Sequence, residues 1–247
     1  MLKRAIVVGA SSGIGAALTR RLAVEGYHVA AVARSEDKLA RICEEADRAV
    51  GEPRVFPVVH DVTDTDSVET AYQEAVDRLD GLDLIVYCAG VMPEVGPDEF
   101  DIALDKPIID VNVTGAMAWL NLASERFRIQ QDGVIVGVGS VAGDRGRRGN
   151  PAYCASKAAL HTYLEALRNR LSQHGVRVVT IKPGPVDTPM TAGRDKLPLL
   201  IDADRAASGI LSAVRGGPET RYVPGTWWPI MTAVRMVPSV VFRRRNF

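Results

Sequence analysis

The chain has no excess of charge of either sign: Lys and Arg total 30, and so do Asp and Glu, across 247 residues. That balance gives no case for a nucleic-acid partner, which needs basic side chains gathered against phosphate. Cysteine is scarce. Cys43, Cys88 and Cys154 are odd in number and unclustered, so no disulfide framework is expected and a reducing compartment is. The four histidines, His28, His60, His161 and His174, show no metal-ligand spacing with each other or with the cysteines, so no metal is expected. Long apolar runs are missing as well. The opening MLKRAIVVGASSG has four apolar residues before its first glycine and reads as no signal peptide. No uninterrupted stretch reaches the ~20 apolar residues of a membrane span. A cytoplasmic protein is the expectation.

Apolar residues make up 47% of the chain, ample for a buried core and too many for disorder. They fall into short runs at 4–9, 28–33, 54–59, 83–88, 133–138 and 176–181. Runs apolar on both faces suit strands buried inside a parallel sheet. Amphipathic stretches at 14–25, 36–50, 65–79, 110–130, 153–174 and 203–215 separate or follow them. Strand and helix in alternation with short connections predict an α/β fold, a Rossmann-like, doubly wound and mostly parallel sheet flanked by helices on both faces. Residues 1–220 are read as one domain of this kind, and 221–247 as an amphipathic C-terminal extension of it. That extension has no Asp, Glu or Lys, but five Arg and two Trp.

The stretch VVGASSGIGAAL puts Gly9, Gly13 and Gly15 after the first strand and into the first helix, with Ser11, Ser12 and Ile14 among them. Gly9 permits a tight turn, and the other two let backbone come close to a ligand. A helix N-terminus there offers free N–H groups to a pyrophosphate. The second strand ends in Ala33 and Arg34, where a site for a cofactor without a 2′-phosphate usually carries an acid. A guanidinium at that place suits a 2′-phosphate. NADP(H) is therefore expected in preference to NAD(H), which stays open. Asp61, beside Val62 after the third strand, is read either as an acceptor for the adenine amino group or as a helix cap.

Six segments then occur in a telling order: GASSGIG, YCAG (87–90), NVTG (112–115), VGSVAG (138–143), YCASK and IKPGPVDTPM (181–190). In order and spacing they resemble the short-chain dehydrogenase/reductase family, over roughly residues 3–215. The resemblance implies a catalytic set of Asn112, Ser140, Tyr153 and Lys157. Tyr153 would exchange a proton with the substrate oxygen as hydride moves. Ser140 would hydrogen-bond that oxygen, and Asn112 would hold a water linking Lys157 to solvent. Lys157 would hold the nicotinamide ribose. An unperturbed phenol titrates at ~10, and an ammonium one helical turn away favours phenolate, so Lys157 is expected to lower Tyr153. Cofactor contacts are implied for Val62, for Cys88, Ala89 and Gly90, for Tyr153 and Lys157, and for Pro183, Gly184, Val186 and Thr188. Residues of about 190–202 would form a mobile lid. The family commonly assembles as homodimers or homotetramers. One departure is Cys88, which stands where most members carry an asparagine brace. It is read as a small buried residue rather than a reactive thiol.

The function implied is NADP(H)-dependent hydride transfer between nicotinamide and a carbonyl or alcohol. A non-enzymatic NADP(H)-binding sensor is the alternative. The substrate is less legible. Arg145, Arg147 and Arg148 in GDRGRRGN are read either as contacts for an anionic substrate or as a solvated loop. With the Trp- and Arg-rich tail, that segment resembles a subgroup whose members include reductases of polyprenyl-phosphate-linked keto-sugars. A hydrophobic or lipid-linked substrate is the expectation drawn from it. The tail is expected to form about two helical turns after Pro229 and to bend at Pro238. Its apolar side is read as Ile230, Val234, Val237 and Val241, with Met231 nearby. Trp227 and Trp228 favour a membrane interface, and Arg243, Arg244 and Arg245 favour anionic headgroups. Peripheral contact with the inner face of a membrane through 222–247 stands beside a second reading, in which the tail covers the pocket or a partner subunit.

Overall fold

The β-branched runs become strands because each is apolar on two faces and is buried from two sides. The computed structural model describes residues 3–96, 98–194 and 197–244. Its elements are β1 (Lys3–Val8), α1 (Gly13–Val24), β2 (Tyr27–Ala33), α2 (Glu36–Val50), β3 (Val55–Val59), α3 (Val68–Leu79), β4 (Leu84–Tyr87), α4 (Ile102–Ile109), α5 (Gly115–Gln130), β5 (Gly133–Val138), α6 (Pro151–Leu171), β6 (Val176–Pro183), β7 (Val186–Asp187), β8 (Ile201–Asp202), α7 (Ala203–Arg215), β9 (Thr220–Val223), α8 (Trp227–Met236) and α9 (Ser239–Phe242). Seven strands make one parallel sheet in the order β3-β2-β1-β4-β5-β6-β9. Alternate residues of β1 divide between two cores. Ala5 and Val7 pack with α1, α2 and α7, whereas Ile6 and Val8 pack with α3, α5 and α6. Each such Val, Leu or Ile stabilises the fold by ~1.5–3 kcal/mol.

The predicted fold class holds, with three differences. A seventh strand, β9, extends the sheet beyond β6. The helix expected over 110–130 is preceded by α4, and the two join through a π turn at Asp110–Thr114 that contains Asn112. π turns of this kind are frequent at functional sites. The tail forms α8, carries Pro229 in its first turn and breaks before Pro238, as expected. Its buried side is different: Trp227 and Met231 are covered and Val234 packs beside them, while Ile230 and Val241 are 40% and 51% exposed. The buried stripe runs through 227, 231 and 234, one face of a helix that starts at Trp227. Arg245 lies outside the described residues.

Strand order reverses between β1 and β4. In open α/β sheets the crevice above the carboxyl ends at such a point receives the ligand.

Candidate active site

The first turn is built for close backbone approach. Gly9 sits at φ +92°, and a Cβ there would lie 2.5 Å from the Ala89 nitrogen. A side chain at Gly15 would overlap the Gly9 carbonyl. Above this turn lies a cavity of about 330 Å³. Gly9, Ser11, Ser12, Gly13, Ile14, Gly15, Arg34, Asp61, Val62, Cys88, Ala89, Gly90 and Thr188 all line it. A second cavity of about 240 Å³ is lined by Ser140, Tyr153, Lys157, Pro183, Gly184, Val186 and Thr188. Ile14, Cys88, Gly90, Thr188 and Met190 border both, so the two form one cleft. Every sequence-predicted cofactor residue thus faces this cleft, and Asn112 lies just behind it.

At one end Arg34 meets Asp61 at 3.6 Å. Asp61 also accepts from the Thr63 backbone N–H at 3.0 Å and from its hydroxyl at 2.8 Å. Burial would push the Asp61 carboxyl up, but these hydrogen bonds and the Arg34 charge outweigh it and hold the group below the usual range. The cap position of α3 belongs to Ser67, so Asp61 shapes its own turn and not that helix. Sequence reasoning missed Lys38, a second cation lining this end.

At the other end stand the four implied catalytic residues. Asn150 caps α6 by accepting from the Tyr153 N–H at 3.0 Å, and Pro151 opens the helix, which fixes Tyr153 in the first turn. Tyr153 and Lys157 are 8% and 4% exposed. Lys157 Nζ donates to the Val138 carbonyl at 3.1 Å and stands 5.7 Å from the Tyr153 ring centre. Asn112 Oδ1 accepts the Val91 N–H at 2.8 Å, and its Nδ2 donates to the Val91 carbonyl at 3.1 Å and to Ser156 Oγ at 3.0 Å. That side chain braces the loop after β4, the strut which the Cys88 position forgoes. Cys88 is half-buried where the two cavities meet, and desolvation pushes its thiol up to about 12, so little of it is thiolate at neutral pH.

The electrostatics differ from expectation. Burial raises the Tyr153 phenol, and what opposes it is the neighbouring Ser140 side chain and the charges of Arg147 and Arg194. Lys157 is not among those influences in the protein alone. It is itself brought down to about 8 by burial. No Asp or Glu is among the described residues lining the Tyr153 cavity, whereas Arg147, Lys157 and Arg194 are.

Of the three loop arginines, only Arg147 faces that cavity. Arg145 Nη1 donates to the Val234 and Val237 carbonyls at 2.7 and 2.5 Å, and its guanidinium stacks on the Phe242 ring at 4.1 Å. Arg148 donates to the Arg243 carbonyl at 2.7 Å. These two latch the tail to the active-site loop. The latched tail lays Trp227 against Gly184, where any Cβ would strike the indole. Trp227 therefore walls the cavity, as the pocket-covering reading anticipated. The described residues of the expected lid also line it, through Met190, Thr191, Arg194, Leu197 and Pro198.

A parallel sheet with a glycine-rich first turn and a cleft at its switch point is the architecture of dinucleotide-binding α/β proteins. Residues 3–197 match the model of the short chain dehydrogenase family. An uncharacterized oxidoreductase of Myxococcus xanthus is 36% identical over 245 residues, covering 97% of this chain and 94% of the relative. Another, of Staphylococcus saprophyticus, is 34% identical and covers 78% and 82%. Among solved structures, a short chain dehydrogenase from Burkholderia cenocepacia in complex with NADP superposes with a TM-score of 0.84 at 27% identity, over 98% of this chain and 97% of that one. An alcohol dehydrogenase from Thermococcus sibiricus complexed with 5-hydroxy-NADP gives 0.81 at 25%, over 90% and 96%. The chain belongs to the short-chain dehydrogenase/reductase family and is an oxidoreductase.

Proposed function

We propose that the protein is an NADP(H)-dependent reductase or dehydrogenase acting on the carbonyl or alcohol of a hydrophobic or lipid-linked substrate. The observation that carries the chemistry is the convergence of Ser140, Tyr153 and Lys157 on one cavity continuous with the glycine-lined cleft. Bound NADP(H) supplies or takes the hydride. In reduction, the Tyr153 hydroxyl gives its proton to the carbonyl oxygen. Ser140 donates a hydrogen bond to the same oxygen as negative charge develops on it. Lys157 holds the nicotinamide ribose. Asn112, held in the π turn behind the cleft, would carry the water that links Lys157 to solvent. Gly184, Val186 and Thr188, which line the Tyr153 cavity, would border the nicotinamide. Incubation with NADPH and a carbonyl panel, followed by loss of reduced cofactor, tests the activity. No turnover on any carbonyl, lipid-linked ones included, would count against it.

The choice of NADP(H) rests on Ala33-Arg34, on Lys38 beside them, and on the missing acid. The relatives from Burkholderia cenocepacia and Thermococcus sibiricus hold NADP and 5-hydroxy-NADP, in keeping with this choice. Arg34→Ala should remove a charge-assisted contact of ~1.5–3 kcal/mol, a loss of about ten- to a hundredfold in NADPH affinity with NADH little changed. Equal affinity of the unaltered protein for the two cofactors would overturn the choice.

The substrate reading draws on the tail, proposed as part of the same folding unit. No helix among the described residues is long and apolar enough to cross a membrane. The outer side of the tail nonetheless exposes Trp228, Ile230, Met236, Val240 and Val241 beside its arginines. Such a surface suits anionic headgroups while the inner side walls the pocket. Full-length protein should sediment with anionic vesicles in a salt-sensitive way and ignore neutral ones, and a chain ending at Pro224 should not sediment. Absence of such binding by the full chain assigns the tail to the pocket or to a partner subunit.

A further inference from the structure

Ser140 is held from behind by a residue that none of the family motifs singles out. The imidazole of His161, one helical turn beyond Lys157 on α6, is wedged between Gly139 and Gly143, the glycines flanking Ser140. A Cβ on Gly139 would overlap His161 Nε2, and one on Gly143 would lie 2.6 Å from Cε1. The Ser140 backbone N–H points at Nε2 over 3.4 Å. A backbone N–H can only donate, so Nε2 is the acceptor and the ring proton sits on Nδ1. Nδ1 faces Asp144 Oδ1 at 3.9 Å. The Asp144 side chain is 2% exposed and is neutralised in place: Lys182 Nζ on β6 donates to it at 2.6 Å, and Tyr222 Oη on β9 at 2.6 Å. Burial, with the Lys182 and Lys157 charges, brings His161 down to about 3 against the pull of Asp144, so the ring stays neutral at working pH. At 3.9 Å the carboxylate acts on the imidazole by charge and not by a hydrogen bond, and the imidazole receives the Ser140 N–H at the long end of hydrogen-bond range.

We propose that His161 is a positioning residue for Ser140: its unprotonated Nε2, oriented by the Asp144–Lys182–Tyr222 cluster, fixes the Ser140 backbone so that the hydroxyl stays aimed at Tyr153 and the substrate oxygen. This rests on the hydride-transfer reading of the site. It gives the tail strand β9 a link to the reaction, through Tyr222. It also accounts for Gly139, whose side chain would evict the ring, whereas at Gly143 a side chain would meet the α6 backbone at Lys157 and Ala158 as well as the ring.

The test is a double-mutant cycle. His161→Leu removes the acceptor, whereas His161→Gln offers Oε1 in its place. Turnover, NADPH affinity and melting temperature are measured for both, in the native and Ser140→Ala backgrounds. His161→Leu should lower kcat by about ten- to a hundredfold with NADPH affinity unchanged. His161→Gln should recover most of that loss. In the Ser140→Ala background, His161→Leu should cost nothing further. Should His161→Leu fail to fold, His161→Gln carries the test: folded but as slow as Ser140→Ala, it overturns the proposal. Equal losses for Leu and Gln, or a His161→Leu loss that persists without the serine, also overturn it. Ser140→Ala with undiminished turnover would instead overturn the reading of the site, and this inference with it.

Discussion

Tyr153→Phe should lower turnover by about 10²–10⁴-fold, the usual contribution of a positioned general acid, while NADPH affinity stays close to that of the unaltered protein. The substitution removes one oxygen and leaves the ring that fills the site, which is 8% exposed. Cofactor affinity is set elsewhere, along the glycine-lined cleft and at Arg34. The pH profile should change as well. Burial raises the phenol above its ordinary value, against the influence of the Ser140 side chain and the Arg147 and Arg194 charges. Reduction needs the phenol protonated, so its rate should decline only on the alkaline side, where that proton is lost. Oxidation needs phenolate and should rise over the same range. The Phe variant should keep neither limb. A variant that retains most of its turnover would show that another group moves the proton. Steady-state rates in both directions across pH, with NADPH binding measured separately, decide the matter.

Much of this site was legible because its parts are local in sequence. The glycine turn, the Tyr153–Lys157 pair one helical turn apart and the loop after β6 each occupy a few consecutive residues, and each ends at the same edge of the sheet. The six strands were legible because their runs are apolar on both faces. β9 escaped because TRYV is four residues long, with Thr220 and Arg221 pointing away from any apolar pattern. α4 escaped because Pro107 interrupts it and only Ile108 is buried. The π turn has no signature at all, since one extra residue in a helix leaves composition untouched. His161 was invisible for another reason. A lone histidine looks inert until Asp144, Lys182 and Tyr222, drawn from a loop and two strands, are folded around it. The same holds for the loop arginines, whose division between latch and pocket depends on where the tail lies. Trp227 was read as an interfacial residue, and nothing in the sequence announces that its indole would meet Gly184.

Lys157→Met should abolish most turnover and yet make the cofactor-free protein melt higher at neutral pH. Lys157 is 4% exposed, and among the described residues only the Val138 carbonyl accepts from its ammonium, at 3.1 Å. Burial brings it from 10.5 to about 8. Between those two values the unfolded chain binds a proton that the folded chain does not, so stability rises with pH across that window. Below about pH 8 the penalty of placing a charge in the buried site is present in full, and above about pH 10.5 it has gone. Methionine fills similar space with no charge to desolvate. The melting temperature of the Met variant should therefore exceed that of the unaltered protein by several degrees at pH 7, and the gap should close as pH passes 10. Turnover should fall at least about a hundredfold, because no ammonium remains to hold the nicotinamide ribose or to favour the phenolate once that ring is bound. Stability given up at such a position is expected where a group is kept for its chemistry. Differential scanning of both proteins from pH 6 to 10.5, without cofactor, reads the first effect, and steady-state rates read the second. A Met variant that melts lower at pH 7 would mean that the Val138 hydrogen bond outweighs desolvation, and that Lys157 stabilises the fold it serves.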